Sequence, residues 1–393
     1  MEIPAVVLAA GEGRRLRPLT HHRPKPMLPV VSKPILEHVF DSLIAAGVTD
    51  IVVVVGYGRN RIQSYVGSSY RDATIRYVVQ DRQLGTGHAL LTARSVVDGR
   101  CLVINGDQIV TSDLVDEVLS DHDATDSVAT IGVLNRAEVG EYGGVLLDDD
   151  RVTEIIERPS DDQNYRLNAG VYALEPTVFD AVEAATPDAG EHSLTDAFRR
   201  VIEWGEPVRG VVSPGPWIDV KYPWDLLQAT ETLIASDAYD YAIERIDSSA
   251  TIHETAVVSS SAVVAAGCEI GPGAVVGQDV SLNENVTVDA NAVVERSVVD
   301  MDARIGQNAT VIDSVVGQGV GVGPGTVLPG GPSEVRIGNR IHENVQFGTL
   351  LADRVRDEGG TTYAPGTVVG ANALVRSGGT VDGTIASGTE VQP

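Results

Sequence analysis

The sequence predicts an α/β domain with a doubly wound, mostly parallel sheet, followed by a left-handed parallel β-helix. Two observations carry this prediction. Strand-like and helix-like patterns alternate from residue 1 to about 236, and an apolar residue recurs every six positions from about residue 250 onward. We therefore expect one domain at 1–236, a second at 250–393, and a linker or connecting helix at 237–249.

The strands of the α/β domain are predicted from continuous apolar runs rich in β-branched residues. The clearest runs lie at 5–8, 51–55 and 101–104. Strands buried on both faces have this composition, which is typical of a parallel sheet covered by helices. Between the first two runs, an apolar stripe from Ile35 to Ile44 predicts a helix, with Ser32 as its N-cap and Gly47 as its end.

The β-helix is predicted from hexapeptide repeats. An aliphatic residue occupies every sixth position from Ile252 to Val294, and a smaller residue stands two positions before each. The phase slips by one at Val299 and again at Val316. Each hexad would form one short strand and a corner, with the aliphatic side chain inside. Residues 329–365 interrupt the pattern and predict an excursion, after which hexads return weakly near Val369.

The charge of the chain excludes two classes of partner. Its 393 residues carry 55 acidic and 29 basic side chains, a formal net charge of −26, and only three of the bases are lysines. Binding to nucleic acid or to an anionic membrane needs clustered cations, so neither partner is expected. A dispersed acidic excess with little lysine favours a protein adapted to a salty cytoplasm, and an ordinary acidic enzyme is the alternative.

The sequence also predicts a soluble cytoplasmic location. Two cysteines, Cys101 and Cys268, are too few for a disulfide framework or a zinc site. Glu2 stands where a secretory signal would have a basic segment. Apolar runs stay shorter than the roughly 18 residues that a membrane span needs.

A glycine-rich turn follows the first strand and leads into a basic, proline-rich loop. Gly11 and Gly13 let the backbone approach a ligand and direct N–H groups toward phosphate. Lys25 stands between two prolines, which stiffen the loop and aim the ammonium group. A plain turn followed by a solvated basic loop is the alternative for this segment.

This segment resembles the signature of the sugar-1-phosphate nucleotidylyltransferases, on the residues Leu8-Ala9-Ala10-Gly11-Glu12-Gly13-Arg14-Arg15-Leu16-Arg17-Pro18-Leu19-Thr20 and Pro24-Lys25-Pro26-Met27-Leu28-Pro29. The resemblance implies a Rossmann-like nucleotidyltransferase domain. It implies two catalytic residues: Arg15 grips the triphosphate and Lys25 binds phosphate at the reacting centre. The family usually has Thr where this chain has Arg14. The implied nucleotide contacts here are Leu8, Ala9, Ala10, Gly11, Gly13 and Arg14.

The second motif is Gln80-Asp81-Arg82-Gln83-Leu84-Gly85-Thr86-Gly87-His88-Ala89. A glutamine offers a donor and an acceptor, which suits the imide edge of a pyrimidine. The motif resembles the uridylyl and thymidylyl branches of the family, and it implies that Gln80, Gly85 and Thr86 bind UTP or dTTP. The alternative interpretation, without a ligand, is a helix start capped by Thr86. We expect His88 to orient neighbouring groups rather than to bind a metal.

Two aspartates stand at points where a ligand crevice is expected. Asn105-Gly106-Asp107 ends a strand of the sheet, and Asp219 follows Trp217-Ile218. Singly, such aspartates are often turn or cap residues. Together they match the two metal-binding aspartates of the family, which implies a Mg²⁺ site at Asp107 and Asp219 and nucleotide contacts from Asn105 and Gly106.

A further group of segments matches the family in order and spacing. The resemblance implies that the sugar phosphate is bound by Gly143, Glu157, Arg158 and Asn168. The family usually has Lys at the position of Arg158, and arginine also binds phosphate, in a forked geometry. A surface ion pair is the alternative for Glu157 and Arg158.

The implied reaction joins a nucleoside triphosphate to a sugar 1-phosphate, releasing pyrophosphate and an NDP-sugar. One alternative is a bifunctional enzyme whose β-helix also N-acetylates glucosamine 1-phosphate with acetyl-CoA. Against it, His342 is the only histidine in the corresponding part of the sequence, and no matching group of His or Lys residues accompanies it. A second alternative is a non-catalytic assembly or regulatory subunit, which the retained charged residues argue against.

The faces of the β-helix predict assembly. The outward positions that the hexads assign to apolar side chains include Val257, Val263, Val275 and Val293. Exposed apolar faces commonly associate. Since trimers are usual among similar proteins, we expect a homo-oligomer, a trimer or higher.

Overall fold

The computed structural model describes residues 3–97, 99–136, 139–161, 163–185, 190–236 and 244–392. These residues form two compact units. The first contains 3–12 and 35–218, and the second contains 13–34, 219–236 and 244–392. The proline-rich loop and the segment from Asp219 onward therefore group with the β-helix. Most of the predicted linker, 237–243, lies outside the described residues.

The first unit is built on a ten-stranded mixed sheet. Its strands, in spatial order, are Gly143–Asp148, Arg151–Glu157, Val208–Ser213, Ala129–Leu134, Arg166–Leu174, Cys101–Asn105, Ala5–Ala9, Asp50–Val55, Ala73–Val79 and Ser69–Tyr70. The three strands predicted from apolar runs are neighbours and parallel, with Ala5–Ala9 in the middle. Arg166–Leu174 runs antiparallel to both of its neighbours, and beyond it Ala129–Leu134 and Val208–Ser213 are again parallel to each other.

The helices among the described residues are α1 Ile35–Ala45, α2 Arg59–Val66, α3 Thr86–Ala93, α4 Ser112–Asp123, α5 Thr177–Ala184, α6 Leu194–Glu203 and α7 Asp225–Ala235. Two further short strands are Gln108–Val110 and Trp217–Asp219. The core of the first unit is aliphatic, and side chains such as Val6, Val52 and Val103 are fully buried in it. Burial of each such side chain contributes about 1.5–3 kcal/mol.

The prediction for the start of α1 is wrong. Ser32 does not cap the helix, because it lies in the two-residue turn of a hairpin formed by Pro29–Val30 and Lys33–Pro34. Its φ is +63°, the left-handed conformation that such a turn requires. The predicted end is confirmed, since Gly47 has φ +78° and donates to the carbonyl of Ile44.

The second unit contains the predicted β-helix, whose strands visit three parallel sheets in turn. The first sheet has Thr251–Ile252, Glu269–Ile270, Thr287–Val288, Arg304–Ile305, Gly321–Val322, Arg356–Asp357, Leu374–Val375 and Glu390–Val391. The second has Val257–Val258, Val275–Val276, Val293–Glu295, Thr310–Ile312, Val327–Leu328, Thr362–Tyr363 and Thr380–Val381. The third has Val263–Val264, Ser281–Leu282, Val298–Val299, Val315–Val316, Thr349–Leu351, Thr367–Val369 and Thr384–Ile385.

The hexad phase is visible in the pairing register. Ile252 pairs with Ile270, one full coil of three hexads later. Where the phase slips, Leu282 pairs with Val299, so that coil is one residue shorter. The aliphatic member of each hexad is inside, as Val276 and Leu282 are fully buried. The period of six thus follows from one strand and one corner per face.

The excursion is shorter than the predicted 329–365. It is a hairpin of Pro332–Ile337 and Arg340–Gln346, and the coils resume at Thr349–Leu351, which pairs with Val315–Val316. The sequence hides this coil because the buried hexad position between Leu351 and Tyr363 is occupied by Asp357 instead of an aliphatic residue.

One outward position is also corrected. Val257 is 60% exposed as predicted, whereas Val263 is only 1% exposed. Val263 belongs to the third sheet, whose outer face is covered in part by α7, since that helix packs on Val298–Val299. In the second sheet, by contrast, Val257 is exposed and Val275 and Val293 are half-buried.

Candidate active site

The first strand delivers a closely packed backbone to the start of the glycine-rich turn. Leu8 and Ala9 are buried in the strand and Ala10 follows, while Gly11 is exposed. The Gly106 N–H donates to the Leu8 carbonyl at 2.9 Å, and a Cβ on Gly106 would lie 3.0 Å from that oxygen. A Cβ on Gly11 would meet open space. The chain is therefore tightly held up to Ala10 and open to a ligand from Gly11.

In the second unit, Gly13 packs directly on the stem of Lys25. Gly13 has φ +62°, and a Cβ there would lie 2.8 Å from Cβ of Lys25. The Thr20 hydroxyl donates to the Gly13 carbonyl at 2.8 Å. Arg14 and Arg15 follow in a short 3-10 helix and keep exposed side chains. This close approach is possible only because residue 13 has no side chain.

Lys25 is buried and paired with Asp219. It begins a 3-10 helix, Lys25–Met27, directly after Pro24, as expected of a stiffened loop. Its Nζ lies 2.6 Å from Oδ1 of Asp219, and the two side chains are 10% and 7% exposed. The residue predicted to bind phosphate and a residue predicted to bind metal are thus direct partners. A buried charge needs such a partner, so each side chain compensates the charge of the other.

Asp225, which the motifs did not single out, lies beside this pair. As the first residue of α7, it accepts hydrogen bonds from the N–H groups of Lys221 and Tyr222, both at 2.7 Å. Burial raises the pKa of Asp225 to about 6, and the negative charge of Asp219 adds to the rise. The Asp225 side chain therefore holds the turn that leads into α7.

Gln80 presents one defined face to a base. Its side chain is buried, and Nε2 donates to the Gly85 carbonyl at 3.1 Å and to Nδ1 of His88 at 2.9 Å. Burial and the neighbouring His192 lower the pKa of His88, which favours the neutral ring, and Nδ1 accepts in this contact because an amide nitrogen can only donate. With both amide hydrogens used inside the protein, Oε1 is the atom that can accept a hydrogen bond from a ligand. The expectation that His88 orients a neighbour is consistent with this contact.

The next two motif residues connect the starts of two helices. Gly85 has φ +96°, and a Cβ there would overlap the backbone of His192. Thr86 does not cap α3, because Gly85 is the N-cap residue and makes no side-chain bond. The Thr86 hydroxyl instead accepts from the N–H of Leu194 at 3.1 Å, at the start of α6.

The two predicted metal ligands lie in different units. Asp107 occupies the turn between Cys101–Asn105 and Gln108–Val110 of the first unit, where Asn105 Nδ2 donates to Gln108 Oε1 at 2.9 Å. Asp219 belongs to the second. Among the described residues there is no cluster of three or more His, Cys, Asp or Glu side chains. Carboxylates without a complete protein cage suit Mg²⁺, which takes its remaining ligands from phosphates and water.

Three of the four predicted sugar-phosphate residues lie together in the first unit. Gly143 pairs with Glu157 across neighbouring strands, and a Cβ on Gly143 would lie 3.3 Å from Cβ of Asn168. The Thr195 hydroxyl donates to Oε1 of Glu157 at 2.6 Å. Arg158 follows with φ +51° and an exposed side chain. Thr195 carries no motif, and the sequence offered no signal for it.

Comparisons with known proteins identify the family. The nucleotidyl transferase family model matches residues 4–236, and a second model, described as the GMPPB C-terminal domain, matches 243–333. A bifunctional protein GlmU of Methanococcus maripaludis C7 is 37% identical over 401 residues, covering 97% of this chain and 95% of that protein. For other relatives of that name, the chain spans about half of their length, at 53%.

Two further matches concern the first half of the chain. The UTP–glucose-1-phosphate uridylyltransferase AglF of Haloferax volcanii is 35% identical over 232 residues, 58% of this chain and 96% of that protein. The structure of a UDP-glucose pyrophosphorylase complexed with UDP-glucose covers 59% of this chain and 98% of its own, with a TM-score of 0.54 and 22% identity, and so supports the fold. None of the described helices has the length and apolar character of a membrane span. The chain therefore belongs to the sugar-1-phosphate nucleotidylyltransferase family, as its glycine-rich signature predicts.

Proposed function

We propose that this chain transfers a uridylyl or thymidylyl group from UTP or dTTP to a sugar 1-phosphate, giving an NDP-sugar and pyrophosphate. The observation that carries the proposal is the buried Lys25–Asp219 pair at the end of the family signature. This pair places the Asp219 carboxylate beside the Lys25 cation, which belongs to the segment that family members use for phosphate. Glucose 1-phosphate or an amino derivative is the proposed acceptor, supported by the name of the Haloferax relative.

The choice of nucleotide is supported by the orientation of Gln80. Its Oε1 is the available acceptor, which matches the N3–H donor of uracil and thymine. At the corresponding ring position adenine and cytosine present an unprotonated nitrogen, which cannot donate to this oxygen, whereas guanine carries an N–H there and is not excluded by this contact. The methyl group of thymine lies away from that edge, so both UTP and dTTP are proposed.

In the proposed reaction, a phosphate oxygen of the sugar 1-phosphate attacks the α-phosphorus, and the bond to the pyrophosphate oxygen breaks. The nucleophile is already an anion, so a general base is not required. Arg15, Lys25 and Arg158 would bind phosphate oxygens and offset their mutual repulsion. Glu157 and Asn168 would hold sugar hydroxyls.

We propose Mg²⁺ as the metal, held by Asp107 and Asp219. When bound, the ion would neutralise charge on the phosphates. Asp219 would hold the ion beside Lys25, and the Lys25 ammonium group would bind phosphate. The nucleotide contacts proposed from the signature are Leu8, Ala9, Ala10, Gly11, Gly13 and Arg14.

The proposal is tested by pyrophosphate release from UTP, dTTP, ATP, CTP and GTP, each against glucose 1-phosphate and its amino derivatives, in molar KCl. We expect turnover with the two imide bases and a loss of turnover in Lys25→Ala. Near-normal turnover in that variant would show that the catalytic assignment is wrong.

A second candidate activity is N-acetylation of glucosamine 1-phosphate by the β-helix. It is favoured by the bifunctional GlmU protein that matches 97% of this chain. Against it, the His342 ring packs on Tyr222 and Trp224, with ring centroids 4.5 and 5.1 Å away. Incubation with acetyl-CoA and glucosamine 1-phosphate decides between the two, since thiol release at a rate comparable to pyrophosphate release would establish the second activity.

We also propose the setting in which the enzyme works. The outward row formed by Val257, Val275 and Val293 supports a homo-oligomer, a trimer or higher, which sedimentation in molar KCl would measure. The net charge of −26 supports a salty cytoplasm, where nucleoside triphosphates are made. A monomer under those conditions would contradict the assembly proposal.

A further inference from the structure

The proline-rich loop carries a buried arginine to which the proposed reaction assigns no role. Arg23 lies two residues before Lys25 and is only 6% exposed. Its Nη1 lies 2.5 Å from Oδ2 of Asp300, and its Nη2 donates to Oδ1 of Asp353 at 3.3 Å. Both carboxylates are buried and belong to coils of the β-helix. Since a buried cation needs such partners, these contacts fix the loop to the β-helix.

The two carboxylates are held in place by their own coils. Oδ1 of Asp300 accepts from Nδ2 of Asn283 at 2.9 Å and from the N–H of Met301 at 2.8 Å. Oδ1 of Asp353 accepts from the N–H of Gln318 at 3.2 Å. A carboxylate whose other hydrogen bonds come from a rigid scaffold has a fixed direction. The pair therefore forms a rigid receptor for one guanidinium group.

The β-helix also contacts the segment that follows Asp219, the partner of Lys25. The rings of Tyr222 and Trp224, shortly after Asp219, are stacked with centroids 4.7 Å apart. His342 of the 332–346 hairpin packs on both rings. The segments that carry Lys25 and Asp219 are thus each attached to the β-helix by close neighbours in the chain.

We propose that the β-helix is a structural part of the nucleotidyl-transfer site: Asp300 and Asp353 hold Arg23, and Arg23 positions Lys25. This inference rests on the proposed function and extends it, because it makes transfer depend on coils up to 330 residues away in sequence. Lys25 is the catalytic residue, and the other three are positioning residues. The two prolines around Lys25 stiffen the backbone, so a displacement at residue 23 is transmitted to residue 25 rather than absorbed.

The first test is kinetic and uses the full chain. In the double variant Asp300→Asn/Asp353→Asn, we expect kcat to fall by about 10- to 100-fold, the scale of a misplaced catalytic group. KM for both substrates should stay within about threefold, since the groups that bind them remain. Arg23→Met should match the double variant, while Arg23→Lys keeps the charge and should retain part of kcat. The matched control is Asp357→Asn, a buried β-helix carboxylate that binds the Tyr363 hydroxyl, and it should keep the wild-type kcat.

The second test does not depend on activity. Hydrogen exchange of residues 18–29 in the ligand-free protein should be faster in the Asp300/Asp353 double variant and unchanged in Asp357→Asn. Unchanged exchange, an unchanged kcat in the double variant, or an equal loss of kcat in the control would each overturn the inference. If the wild type turned over none of the substrate pairs, the proposed function would fail, and hydrogen exchange would still decide whether the β-helix positions this loop.

Discussion

A double-mutant cycle on Lys25 and Asp219 measures how strongly the buried pair is coupled. The variants are Lys25→Met, Asp219→Asn and both together. The two charges are 2.6 Å apart with side chains 10% and 7% exposed, so either single variant takes this close contact away from the buried charge that remains. Such a loss costs about 3–5 kcal/mol in the free energy of unfolding. The double variant leaves two neutral groups and should cost no more than either single variant.

The assay is urea unfolding followed by tryptophan fluorescence, at low salt and in molar KCl. The Debye length is about 3 Å at 1 M salt, so exposed charges are strongly screened. Ions do not enter a buried pair, so the coupling energy of Lys25 and Asp219 should be the same in both solutions. The control is the Arg94–Asp180 pair, which has nearly the same separation, 2.7 Å, with side chains 43% and 60% exposed. Its coupling should be far smaller and should vanish in molar KCl.

The outcome that refutes this reasoning is additivity. If the double variant lost the sum of the two single losses, Lys25 and Asp219 would not compensate each other. Neither side chain would then hold the other in place. Equal coupling in the exposed control pair would refute the role that we assign to burial.

Three further predictions concern neighbouring groups. The pKa of Asp225 is raised to about 6 from an ordinary 3.8, so its stabilising contribution is present below pH 4 and lost as pH rises through 6. Asp225→Asn keeps an acceptor for the two N–H groups. It should raise the free energy of unfolding by up to about 3 kcal/mol at pH 8 and leave it unchanged at pH 4. Urea unfolding at both pH values measures this, and an equal change at both would contradict the prediction. Gly13→Ala should lower the free energy of unfolding by about 2–4 kcal/mol and lower kcat, because the new Cβ would meet the Lys25 side chain at a positive φ. Gly11→Ala is the control: its Cβ lies in open space, so the melting temperature should not change. Thr195→Val removes the hydrogen bond to Glu157 and should raise KM for the sugar phosphate by about 5- to 10-fold without changing KM for the nucleotide, and Thr195→Ser should restore it.

The parts of the fold that follow a local period could be predicted from the sequence. The hexads of the β-helix and the apolar runs of the central strands are of this kind, because burial imposes a fixed spacing on side chains. The same holds for the stiff setting of Lys25, which depends only on the prolines beside it. The slipped phase at Val299 was also readable, since a coil one residue shorter changes the spacing in a regular way.

The parts that depend on contacts far apart in sequence could not be predicted. Lys25 and Asp219 are separated by 194 residues, and Arg23 and Asp353 by 330. No local pattern distinguishes a buried, paired arginine from a solvated one. Ser32 failed for a different reason, because a serine before an apolar stripe serves a helix cap and a hairpin turn equally well.

The hairpin at 332–346 shows what a coiled stack can accommodate. Leu328 ends one strand, the chain leaves for the hairpin, and Thr349 resumes with the coils on either side still in register. The interior side chains of one coil pack on those of the coil above and below, so an added segment at a corner need not disturb the interior. A corner is therefore a point where new chain can be added without rebuilding the core. The ring contacts of His342 show that the hairpin added here packs on Tyr222 and Trp224, outside the coils.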